Sequence, residues 1–211
     1  VGGLAAEMGI GFKASLPIIG TVSGQYVPKA DASENADKTA SGDTGTKGSG
    51  SELVVKTALG DLPFVGAFLG GNNLTLGYAE EEISQAANTS DRIEMTAALT
   101  GSIGNFSYGY QQEHIDAGQT AALTDAVYYN VESIGLAYAI NDALSISYNI
   151  MEQKQHNVAA DSSFEQETDA INIGYTVGGI TLGFQDASTD NANMVKDVSD
   201  DTRTISVKAA F

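Results

Sequence analysis

The stretch Ile171-Asn172-Ile173-Gly174-Tyr175-Thr176-Val177-Gly178-Gly179-Ile180-Thr181-Leu182-Gly183-Phe184 alternates on both sides of a glycine pair. Ile171, Ile173, Tyr175 and Val177 are apolar, while Asn172, Gly174 and Thr176 are polar or small. Past Gly178-Gly179 the contrast resumes, with Ile180, Leu182 and Phe184 against Thr181 and Gly183. Side chains of a strand alternate between its two faces, so this period puts all the apolar groups on one face. Two such runs joined by Gly-Gly read as a tight antiparallel hairpin. The fold class is therefore all-β and antiparallel, with one apolar face and one polar face.

The same contrast extends in both directions. Toward the end, Ile205, Val207, Ala209 and Phe211 oppose Thr204, Ser206 and Lys208. Upstream, Leu144, Ile146, Tyr148 and Ile150 oppose Ser145, Ser147 and Asn149, and Ile134, Leu136, Tyr138 and Ile140 oppose Ser133, Gly135 and Ala137. It recurs around Ile93 to Leu99, around Phe106 to Tyr110, and at Met8 to Leu16. Shorter runs at Val22, Leu53 and Leu74 complete eleven expected strands, over 4–15, 20–28, 51–59, 73–83, 92–101, 105–114, 127–139, 143–153, 165–177, 180–188 and 202–211. Residues 64–71 read either as an extra strand or as an elaborated turn.

Connections alternate in length. Short ones at 17–20, 101–104, 141–142 and 178–179 are interleaved with long polar ones at 29–50, 84–91, 115–126, 154–164 and 189–201. An apolar sheet face needs a cover. A second sheet supplies it in a sandwich, and lipid supplies it in an outer-membrane barrel, whose turns are short at one rim and long at the other. The regular alternation favours the barrel, with residues 1–211 as one domain.

Composition agrees and excludes other classes. The chain of 211 residues has no cysteine, which removes disulfides, thiolate catalysis and Cys-ligated zinc. A net charge of −17 argues against nucleic acid as a partner. Mean hydropathy is −0.08. No run approaches the roughly 18 apolar residues of a membrane helix, and a barrel needs none, since only alternate residues meet lipid. The chain opens Val1-Gly2-Gly3-Leu4, without a signal segment.

The closing segment, Asp201 to Phe211, resembles the last strand of Gram-negative outer-membrane barrels, with Phe211, Ala209, Val207 and Ile205 at the matching alternate positions. Ala209, where that family often has an aromatic, and Arg203, where it often has an apolar residue, depart from the pattern. The hairpins at 171–184 and around Ile140-Asn141-Asp142-Ala143-Leu144 are similar to those of general porins, particularly the alphaproteobacterial kind. The likeness covers about residues 90–211 well and 1–89 loosely.

The resemblance implies a barrel of sixteen strands, assembled as a homotrimer in outer-membrane lipid, that passes small hydrophilic solutes by diffusion. It also implies that the barrel assembly machinery reads Ile205, Val207, Ala209 and Phe211. An odd count of eleven strands, where bacterial barrels are even, implies further strands before the first one here.

The polar parity carries Glu7, Lys13, Lys56, Glu81, Arg92, Glu94, Glu113 and Lys208 as candidate pore-lining charges. Four acids and four bases make this wall nearly neutral, leaving acidic loops to draw cations to the mouth. The bland reading of the same residues is pairing across neighbouring strands. His114 and His156 read as solvated loop residues, and no carboxylates show metal-ligand spacing. No cofactor, metal or enzymatic activity is expected. The alternatives are an autotransporter translocator barrel and a soluble acidic β-rich surface or adhesion protein.

Overall fold

The computed structural model describes residues 9–28, 47–64, 66–83, 91–116, 118, 126–157 and 163–209. Its strands are β1 (Ile10–Leu16), β2 (Gly20–Val27), β3 (Lys47–Ala58), β4 (Asn72–Ile83), β5 (Arg92–Ile103), β6 (Phe106–Asp116), β7 (Ala126–Ala139), β8 (Leu144–Asn157), β9 (Ser163–Val177), β10 (Ile180–Asp190) and β11 (Ser199–Ala209). They form one 11-stranded sheet in sequence order, each strand antiparallel to the next. β1 and β11 are its two edges, so the sheet is open.

The ambiguous stretch 64–71 is an elaborated turn rather than a strand. Leu59–Asp61 makes one 3-10 turn and Gly66–Leu69 a short helix, α1, between β3 and β4. Phe64 and Phe68 stand almost wholly exposed there. Elsewhere the short connections are tight. Asn141 closes the β7–β8 turn, its side-chain oxygen accepting from the amides of Ala143 and Leu144 at 2.9 and 3.0 Å. A side chain mimicking a backbone turn is a standard use of Asn.

Every strand that the periodicity marks is present among the described residues, yet several run further toward the long loops. β8 continues to Asn157 and β9 begins at Ser163, past the expected 153 and 165. The reason is that apolar alternation ends where the backbone ladder does not. Amide and carbonyl groups keep pairing whatever side chains they carry. Glu165, Asp190, Asp200 and Asp201, read from sequence as residues of loops or strand ends, thus lie within β9, β10 and β11.

The register fixes the faces. Ile134 lies opposite Ile150, and Leu136 opposite Tyr148. Ile146 meets Ile173, which meets Phe184, which meets Ile205. Leu144, Tyr175, Leu182 and Val207 form the next row. These side chains share one face and are exposed or half-buried, Leu182 at 44% and Val207 at 68% exposed. Among the described residues the buried apolar set is only Val27, Leu59, Ala79, Ala170 and Ala192, and no large side chain is fully buried. The described sheet is a single layer whose apolar face has no cover within it.

The register is also staggered. One unbroken row runs Ser15, Thr21, Lys56, Thr75, Ala98, Gln111, Ser133, Met151, Thr168, Thr189, Asp200. It starts next to Leu16, the short-turn end of β1, and finishes far from Ala209, the short-turn end of β11. The offset grows by eight residues over ten strand steps, about 26 Å against 48 Å, a slant of roughly 30°. Strands that tilt and stagger in this sense are what closing a sheet requires.

Candidate functional site

The polar face is lined by Ser, Thr, Asn, Gln and Gly, because the parity opposite the apolar residues carries them. Toward the short turns a groove of about 520 Å³ lies against Asn73, Thr100, Ser102, Ser107, Ser147 and Asn149. Hydroxyls and amides donate and accept alike, so such a surface can hydrogen-bond both neutral and charged groups.

The register brings all the expected wall charges within the described residues onto this face. Lys13 and Glu113 share a row through Ser23, Val54, Gly77 and Thr96. Glu81 lies opposite Arg92, and Glu94 opposite Ala79. Lys56 lies between Thr21 and Thr75, and Lys208 opposite Thr181. Glu7 lies outside the described residues, as does Phe211. Ile205, Val207 and Ala209 occupy alternate positions on the apolar face of the β11 edge.

Two further acids belong to the same face. Glu52 lies opposite Gln25 and Ala79, and Asp200 opposite Thr189. Both are legible from strand parity once the pairing is known. Among residues whose side chains are described, five acids (Glu52, Glu81, Glu94, Glu113, Asp200) face four bases (Lys13, Lys56, Arg92, Lys208). The near-neutral count expected from sequence is thus shifted toward acid. Glu94 is only 7% exposed and accepts a 2.5 Å contact from the Arg92 guanidinium. Burial of a carboxylate demands such a partner.

Beyond the apolar belt the other face turns charged, and the boundary follows the short turns rather than the register. On β8 the last apolar residue is Ile150 and Glu152 follows on the same face. On β9 the first acid is Asp169, directly opposite Ile150. On β10 it is Asp186, directly opposite Ile171. Each of these two steps moves the boundary two residues in register toward the short turns, so that it lies eight, eight and six residues from the short-turn ends of β8, β9 and β10.

Above this boundary both histidines lie on strands, contrary to their reading as loop residues, and pack against one tyrosine. His114 belongs to β6 and His156 to β8, with Tyr128 of β7 between them. Tyr128 stacks on His156 with ring centroids 4.3 Å apart and tilts against His114 at 5.3 Å. His114 Nδ1 lies 2.8 Å from Asn130 Oδ1. Sequence spacing hides this trio, because each residue comes from a different strand. Nor does spacing reveal that Glu152, Glu165 and Glu167 bring ligand atoms within 4.8 Å of one another. Lys154 Nζ already lies 2.5 Å from Glu152 and 3.4 Å from Glu165.

No protein-family model and no curated protein matches this sequence.

Proposed function

We propose that the chain is the greater part of an outer-membrane porin, a β-barrel enclosing a water-filled channel for passive diffusion of small hydrophilic solutes and ions. The observation that carries this reading is the apolar belt on one face of the slanting strands, bounded by acids six to eight residues from the short-turn ends of β8, β9 and β10. A membrane plane cuts tilted strands in that way. The belt runs about 20 Å along β8 from Leu144 to Ile150, and Ile140 extends it at the turn. Outer membranes are thinner than average, and a barrel's apolar band is about 25 Å tall with its aromatic girdles. A protein in water has no use for so wide an uncovered apolar face, whose contiguous patches on monomers seldom exceed a few hundred Å².

The open edges fit the same proposal. Unpaired amides and carbonyls in hydrocarbon cost several kcal/mol each, so β1 and β11 pair with further strands of the same barrel. The resemblance noted for the sequence makes that total sixteen and the assembly a homotrimer. In this reading Ile205, Val207, Ala209 and Phe211 are the segment read by the assembly machinery.

The function is selection by width and charge rather than catalysis. With acids in excess on the wall and in the strand ends above it, the channel prefers cations mildly. Reversal potentials under a KCl gradient test this, using the full-length protein in a planar bilayer. Cation preference at low salt supports the proposal, and a clear anion preference overturns its selectivity. Vesicles that admit no small sugar and bilayers that show no conductance steps would sink the channel itself.

A further inference from the structure

The charges of the polar face are sorted along the strands. Depth is best counted on each strand from its own short turn, because the register is staggered. On that scale the lysines lie low. Lys13 approaches Leu16 at the end of β1, Lys56 approaches Ala58 at the end of β3, and Lys208 adjoins Ala209 at the end of β11. The acids lie high. Glu81 approaches Ile83 at the far end of β4, Glu94 is near the far end of β5, Glu113 approaches Asp116 at the far end of β6, and Asp200 follows Ser199 at the far end of β11. Glu52 sits between the zones on β3, and Arg92 is the one base among the high charges whose side chains are described. The turns below the lysines carry Asp61 and Asp142, off the strand wall.

We propose that the lumen is an axial ion diode, with a lysine zone at the short-turn mouth and a carboxylate zone at the long-loop mouth, so that the channel rectifies. This rests on the channel reading above. Lys56 stands opposite Thr75, and Glu81 lies six residues further along β4, about 20 Å away along the strand. The Debye length is about 10 Å at 0.1 M salt. Each zone therefore keeps its own counterions, cations above and anions below. A voltage that makes the long-loop side positive drives cations in from the carboxylate zone and anions in from the lysine zone. Both accumulate between the zones and carry current. The opposite voltage draws both outward and depletes the middle. The pairing of Arg92 with Glu94 trims the upper zone without changing its sign.

The test is the current–voltage curve of the full-length protein, inserted in one orientation in a planar bilayer. Asn193→Cys in the β10–β11 connection, as the only thiol of the protein tested, reports orientation to a membrane-impermeant thiol reagent. In symmetric 0.1 M KCl the current should be roughly twofold larger with the long-loop side positive, and the ratio should approach one at 1 M, where the Debye length falls to about 3 Å. Replacing Lys13, Lys56 and Lys208 together by Gln should bring the 0.1 M ratio toward one. A linear curve from conducting channels at 0.1 M overturns the diode and leaves the channel standing. A ratio unchanged by the triple substitution or by 1 M salt also overturns it. Bilayers without conductance steps take down both proposals.

Discussion

Glu152 on β8 stands directly opposite Glu167 on β9, and the row continues to Glu132 on one side and Asp190 on the other. Four acids in register across neighbouring strands repel one another. Of these four, Lys154 pairs with Glu152, and its second partner, Glu165, lies outside the row. Glu167→Gln should therefore stabilise the protein by about 0.5 kcal/mol at low salt, whereas Lys154→Gln should destabilise it. Urea midpoints in 20 mM and 1 M NaCl check this. The gain from Glu167→Gln should vanish in high salt, and a loss of stability at low salt would refute the repulsion.

Tyr108 and Asn72 form a second pair, the phenol donating to the carboxamide oxygen across the β4–β5–β6 sheet. A net contribution of about 1 kcal/mol is typical of such a bond. A double-mutant cycle with Tyr108→Phe and Asn72→Ala should show coupling of that size. Strict additivity of the two losses would remove the bond from the account.

Gly20 has φ of +94°, and a Cβ there would overlap the backbone carbonyl of Lys56. Gly104, also at positive φ (+59°), has nothing within 4 Å of a Cβ. Gly20→Ala should destabilise the fold clearly more than Gly104→Ala, whose cost is the backbone conformation alone, about 1 kcal/mol. Refolding yields and urea midpoints in lipid vesicles rank the two, and equal effects would contradict the close approach.

Ile146 and Ile173 are cross-strand partners on the apolar face, while Ser147 and Asn172 are partners on the other. Arginine at Ile146 or Ile173 should cost roughly 2–4 kcal/mol if lipid covers that face. Arginine at Ser147 or Asn172 should be tolerated. Spin labels along β8 should alternate between oxygen accessibility at 144, 146, 148 and 150 and accessibility to a water-soluble relaxant at 145, 147 and 149. The reverse alternation would exchange the faces.

Much of the fold was legible before any coordinates. Strand number, the alternation of short and long connections and the division of residues into two faces all follow from period two. Parity alone put Lys13, Lys56, Glu81, Arg92, Glu94, Glu113 and Lys208 together, since neighbouring antiparallel strands in register keep faces matched. Glu52 shares the parity of Lys56 within the expected strand 51–59, so parity places it on the same face. The charged ends of β8 and β9 were not legible, because their apolar alternation had stopped.

What the sequence determined by itself is therefore the local part: which residues are strand, which way each side chain turns, and where the belt lies on each strand. These depend on the pleat and on nearest neighbours along the chain. The tertiary structure alone decided what stands beside what. The His114–Tyr128–His156 stack and the acid row through Glu152 each need the relative register of neighbouring strands. That register is set by backbone pairing and by the stagger accumulated over the whole sheet, and no single strand encodes it.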